Sequence, residues 1–169
     1  NEFGGLKELT NVNIQNSVIS HNTVLTRDGG SSGAGILTMV NSTLTNVVIE
    51  HNKTIDGYGG GIYVSNASGN TLNSVTIRNN YALKGGAIYH GGGWNTDGFI
   101  ELSNVNLCNI YTNYATIGTD LYWEGTESIV INVVVDTFTV ENSTSFYTYT
   151  QDDGNITIQS SNHVVDAQV

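Results

Sequence analysis

The acids are the first residues to question for chemistry, because Asp and Glu number 15 against 5 Lys and Arg, for a net charge of −10. A glycan hydrolase or lyase needs carboxylates converging on one face, or a calcium-holding acid cluster beside a basic side chain. Here Asp28, Asp56, Asp97 and Asp120 fall singly in different loops. Three of them precede Gly, a pairing that makes turns. Glu50 and Asp136 lie on repeat strands at non-equivalent positions, and Asp120 near Glu124 is the acid best placed for catalysis. The acid-rich QDDGN at 151–155 lacks the ligand spacing of a calcium loop. The expectation is a chain with no catalytic residues, no metal and no cofactor, and thus not an enzyme.

Other reactive types are sparse. His21 and His51 hold equivalent positions, followed in the same column by Asn79, Asn109 and Asn142. Neighbouring strands bring such residues to about 5 Å, so the histidines read as a metal or pH-responsive pair, or as part of a polar surface ladder without a third ligand. His90 and His163 have no evident partner. Cys108 stands where other repeats carry Arg or Glu, and a single Cys forms no internal disulfide framework. Tyr63, Tyr89 and Tyr122 each follow an inward aliphatic residue by one, which turns them outward as a stacked strip; Trp94 and Trp123 lie nearby. Such a strip binds sugars or a partner by its flat faces, or packs beneath the insertion at 90–98. N-glycosylation sequons occur at Asn41, Asn52, Asn66, Asn142 and Asn155; Asn52 also belongs to a predicted ladder, where a buried amide could not be glycosylated.

The elements that position these residues emerge from internal repetition. IQNSVISHN (14–22), LTNVVIEHN (44–52), LNSVTIRNN (72–80) and LSNVNLCNI (102–110) align without gaps, and VDTFTVENS (135–143) fits the same frame. Their first residues, Ile14, Leu44, Leu72, Leu102 and Val135, recur roughly every thirty residues. Each copy alternates apolar and polar residues, the period of a half-buried strand. A second motif falls between copies: GAGIL (33–37), GGGIY (59–63), GGAIY (85–89) and the degenerate GTDLY (118–122). The stretches NYALKGGAIY (80–89) and NYATIGTDLY (113–122) match with their tyrosines in step.

Abundant Gly, Asn, Ser and Thr with no Pro disfavours helix. The repeat therefore predicts an all-β fold: a right-handed parallel β-helix of about five to six coils, one domain over 1–169. Ile36, Ile62, Ile88 and Leu121 form one inward ladder; Val18, Val48 and Thr76, or the residues beside them, form another. Ile19, Ile49, Ile77, Leu107 and Val140 form a further core ladder. Asn22, Asn52 and Asn80 form an asparagine ladder at a corner.

These repeats resemble those of chlamydial polymorphic membrane proteins and of adhesin-like β-helix proteins of methanogenic archaea and various bacteria. Those families pair a GGA[I/L] motif with a strand that ends in two residues and Asn. TIRNNYALKGGAIY (76–89) and VIEHNKTIDGYGGGIY (48–63) carry the likeness, which covers about residues 9–143. It departs where Ile or Leu replaces the usual aromatic before the Asn, and where Gly118-Thr119 replaces the last Gly pair. The resemblance implies a secreted or cell-surface passenger, often adhesive, and passes on no catalytic residue.

The acidic charge argues against nucleic acid and anionic membranes, and no run of eighteen apolar residues spans a bilayer. The chain opens at Asn1 without Met or a signal-peptide pattern, so it reads as a mature form or a piece of something longer. Expected partners are further copies at the solenoid ends, where unpaired strands template pairing, or other surface proteins and glycans. A non-catalytic extracellular structural or adhesive protein is the main expectation, with head-to-tail filament assembly as an extension. The alternative is a carbohydrate-binding or polysaccharide-degrading enzyme.

Overall fold

A residue in the left-handed backbone region breaks strand alternation and turns the chain. Asn, His and Gly reach that region more cheaply than branched residues do. In the computed structural model such residues recur at matching places in successive passes of the chain. One bend uses Asn16, Asn46 and Ser74, the next His21, His51, Asn79 and Thr112, and a third Gly59, Gly85 and Gly118. The structure describes residues 4–25, 33–65, 69–91, 101–102, 106, 108–124, 129–131, 135–137, 148–151 and 156–158.

Every strand pairing among the described residues is parallel. Asn13–Ser20 pairs with Thr43–Glu50, which pairs in turn with Thr71–Asn73 and Thr76–Arg78; Glu101–Leu102, Cys108–Tyr111 and Val135–Thr137 extend this sheet. A second sheet stacks Thr23–Leu25, Lys53–Ile55, Tyr81–Lys84 and Tyr114–Ile117. A third stacks Ile36–Leu37, Ile62–Ser65, Ile88–Gly91, Leu121–Glu124 and Thr148–Gln151. Two shorter pairs join Leu9–Thr10 to Met39–Val40 and Ile129–Ile131 to Ile156–Ile158. No helix occurs among the described residues, and none is long and apolar enough to cross a membrane. The chain is all-β, with parallel strands in stacked sheets joined by bends, an arrangement consistent with a β-solenoid.

The aliphatic ladder of Ile36, Ile62, Ile88 and Leu121 lies in register and is buried. Two sequence expectations need correction, and a third resolves to its stated alternative, the residues beside Val48 and Thr76. Val18 is 62% exposed, and Val48 and Thr76 are only half-buried, whereas Val47 and Val75 are fully buried. The cause is the left-handed Asn46 and Ser74: each interrupts alternation, so Leu44, Val47 and Ile49 face inward in place of every second residue. The ladder of Ile19, Ile49 and Ile77 continues to Ile110 and not to Leu107. Leu72 still pairs with Leu102, but Thr76 pairs with Asn109, so the later pass holds three extra residues between those points. Leu107 and Val140 lie outside the described residues. The same slip moves Cys108 out of the Arg and Glu column. It sits opposite Val75 in the core, fully buried, and its thiol donates to the Leu72 carbonyl at 3.5 Å.

At the corner after His21 and its equivalents runs the asparagine ladder, and it is longer than expected. Asn22 Nδ2 donates to Asn52 Oδ1 at 2.8 Å, Asn52 Nδ2 to Asn80 Oδ1 at 3.1 Å, and Asn80 Nδ2 to Asn113 Oδ1 at 3.0 Å. Asn52, Asn80 and Asn113 are fully buried. Each amide also bonds the backbone of the preceding pass: Asn52 to Ile19 O, Asn80 to Ile49 O and Asn113 to Ile77 O, all at 2.9 Å. Buried polar groups persist where every donor and acceptor finds a partner, and this network ties consecutive passes together at one corner.

Candidate functional site

Tyr63, Tyr89 and Tyr122 do stack, with ring centroids 5.0 and 5.1 Å apart and planes within 10° and 7°. Their expected exposure is overturned: the relative exposures are 7%, 1% and 2%. Alternation does turn them away from the main core, but a second small core closes over them. Tyr58 stacks on Tyr89 at 4.8 Å, Leu37 and Ile117 pack beside the rings, and Lys84 Nζ meets the Tyr122 hydroxyl at 3.2 Å. The left-handed Gly85 folds the preceding segment onto this column: a Cβ there would lie 2.8 Å from Tyr89 Cα. These rings offer no open face to a ligand. Trp94 lies outside the described residues. Trp123 pairs through its backbone with His90 and Thr150, and its side chain is likewise outside them.

A different pair of tyrosines faces solvent. Tyr81 and Tyr114 are direct partners in the second sheet, 45% and 60% exposed. Lys53, the partner of Tyr81 on its other side, places Nζ 5.0 Å from the Tyr81 ring centroid, and Leu25 of the same sheet is 67% exposed. The reading from sequence missed this face, although both residues stand in step in NYALKGGAIY and NYATIGTDLY. Each follows a ladder asparagine, and that relation was the available signal.

Glu50 and Asp120 have structural positions. Glu50 meets Arg78 through Nε and Nη2, both at 2.8 Å, and Arg78 Nη1 donates to the Tyr111 hydroxyl at 3.1 Å. The hydrogen bond to Tyr111 first, then that to Glu50, raises the Arg78 pKa above its ordinary value. Asp56 is exposed and itself forms a left-handed bend, with φ 59°, after the half-buried Ile55. Asp120 is fully buried and accepts from Asn113 Nδ2 at 3.2 Å, at the last described member of the asparagine ladder. Asp28, Asp97 and the acids of 152–153 lie outside the described residues, as do the side chains of Glu124 and Asp136.

His21 and His51 are both exposed and stack with centroids 5.0 Å apart and planes 23° apart. Asn79 succeeds them in the column as expected, but the next member is Thr112 and not Asn109, through the same three-residue slip; Asn142 lies outside the described residues. No cluster of three or more His, Cys, Asp or Glu suited to a metal occurs among the described residues. Of the sequons, Asn41 is exposed at a left-handed bend and Asn52 is buried in the ladder; Asn66, Asn142 and Asn155 lie outside the described residues.

Stacked parallel passes with internal ladders define the class as a repeat protein. Residues 74–91 match the Chlamydia polymorphic membrane protein repeat. That segment runs from the bend at Ser74 through the ladder residue Asn80 to the Gly85–Ile88 turn and the strand Ile88–Gly91. No curated protein and no solved structure matches the chain significantly.

Proposed function

We propose that the chain is a non-catalytic structural or adhesive protein of the cell surface, built as one right-handed parallel β-helix of five to six coils. The observation that carries this reading is the polymorphic-membrane-protein repeat at 74–91. It falls on the two features that recur along the chain, the asparagine ladder and the glycine-marked bend. The likeness to adhesin-like proteins of methanogens belongs to the same reading. Glu50 and Asp120 support it too, since they are engaged in an ion pair and a ladder.

The contact face of this rod is the sheet carrying Tyr81, Tyr114 and Lys53. Exposed tyrosines give large contact area at low entropic cost. A glycan array probed with the labelled chain tests it, wild type beside the double variant Tyr81→Ala/Tyr114→Ala. Selective retention that the double variant loses is the expected result. Retention unchanged in the variant removes this face, and turnover of any retained polysaccharide overturns the non-catalytic reading.

End-to-end association extends the proposal. Among the described residues Asn13–Ser20 pairs on one side only, and Ile14, Ser17, Val18, Ile19 and Asn22 line an open hollow of about 480 Å³ there. Asn22 Oδ1 accepts no hydrogen bond among the described residues, so the described part of the ladder presents an acceptor at the edge where another strand would dock. Electron microscopy at high protein concentration decides: fibres are expected, and dispersed monomers overturn assembly.

A further inference from the structure

We propose that His21 and His51 form a two-histidine site for a borderline divalent transition metal, Zn²⁺, Ni²⁺ or Cu²⁺, which staples one pass of the chain to the next. Both imidazoles are exposed on the same bend of adjacent passes, with centroids 5.0 Å apart. Their backbones are fixed. The left-handed φ values are 57° and 55°, His21 N–H donates to Glu50 O at 3.3 Å, and His51 N–H donates to Arg78 O at 3.4 Å. The flanking pairs Ser20 with Glu50 and Thr23 with Lys53 hold the two Cα atoms in register.

Two nitrogens each about 2.05 Å from a tetrahedral metal stand roughly 3.3 Å apart. Stacked rings carry their in-plane lone pairs side by side, so side-chain rotations must turn both planes toward a common ion, a movement open to exposed residues. Imidazole suits Zn²⁺, Ni²⁺ and Cu²⁺, whereas Ca²⁺ and Mg²⁺ prefer oxygen. The net charge of −10 draws cations to the surface. Water completes the coordination sphere, so the ion is exchangeable.

The location gives the site a consequence. Among the described residues the strand Asn13–Ser20 pairs with Thr43–Glu50 alone, and in a repeat array each pass is stabilised by the neighbours it is tied to. A metal bridging His21 and His51 binds the folded state alone and raises the stability of the pass that carries His21 by mass action.

The test titrates the purified chain with ZnCl2 and NiCl2 by calorimetry in a non-chelating buffer, and tracks proteolytic protection of residues 13–25. The variants are His21→Asn, His51→Asn and the double variant. Asn79 occupies the same column at φ 54°, so each substitution keeps the bend. A saturable equivalent of metal and metal-dependent protection are expected. Each single variant weakens binding on the order of tenfold or more, since even an outer-shell partner is worth about that much. Equal binding by wild type and double variant, no saturable binding, or the same protection from CaCl2 overturns the proposal.

Discussion

Truncating Asn80 tests whether the asparagine ladder holds the passes together. Its side chain donates to Ile49 O at 2.9 Å and Asn113 Oδ1 at 3.0 Å, and accepts from the Asn52 amide at 3.0 Å and Asn52 Nδ2 at 3.1 Å. In Asn80→Ala two of the partners are compensated. Asn113 Oδ1 keeps the Asn80 backbone N–H at 3.1 Å, and Asn52 Nδ2 keeps Ile19 O at 2.9 Å. The Asn52 N–H and the Ile49 carbonyl lose these bonds in a buried setting, at about 1–3 kcal/mol each. The expected loss is therefore about 4 kcal/mol, which for a chain of this size lowers Tm on the order of 10 °C. Asn22→Ala is the internal comparison. Asn22 donates once through its side chain, to Asn52 Oδ1, which also keeps the Asn22 backbone N–H at 3.1 Å. With no group orphaned, its cost is about 1 kcal/mol. Thermal unfolding by circular dichroism measures both, and amide hydrogen exchange localises the effect, because repeat arrays open by parts. Equal losses in the two variants, or a loss under about 1 kcal/mol for Asn80→Ala, would refute the ladder as a buried network.

Tyr89→Ala removes the ring between Tyr63 and Tyr122 and is expected to cost about 3–5 kcal/mol; a thermal shift no larger than that of Tyr114→Ala, at an exposed site, would contradict the second core. Gly85→Ala places a Cβ 2.5 Å from Ile88 O at φ 64°, for a loss of about 2 kcal/mol or more in Tm-derived stability. Cys108→Val keeps a residue type already found at Val47 and Val75 and stays within about 1.5 kcal/mol of wild type. Cys108→Arg buries an unpaired cation and unfolds the chain in the same measurement, whereas mild behaviour would restore the ungapped register.

The repeat frame, the parallel all-β pairing and the Ile62, Ile88 and Leu121 ladder were legible because period and residue type agreed. The register beyond Leu102 was not. LSNVNLCNI accepts an ungapped alignment by composition, and only the geometry puts Ile110 beside Ile77. Cys108 changed column with that slip and became core, whereas Asn113, already in step with Asn80 in NYATIGTDLY, extends the ladder by a member that the sequence reading left out.

The exposed Tyr81 and Tyr114 face failed to emerge for a related physical reason. Strict alternation assigns Val18 inward and Tyr89 outward, yet Val18 is 62% exposed and Tyr89 1% exposed. A left-handed residue inside a strand inverts the side assigned to its successors, and a solenoid pass contains several such residues. Facing outward from the main core also differs from facing solvent, because a bend can fold back over its own strand, as at Gly59, Gly85 and Gly118. Exposed aromatics in such a repeat are therefore better sought on the strand entered directly from a ladder asparagine, where Tyr81 and Tyr114 stand. There the buried asparagine side chain anchors the corner, and the residue after it turns away from the core.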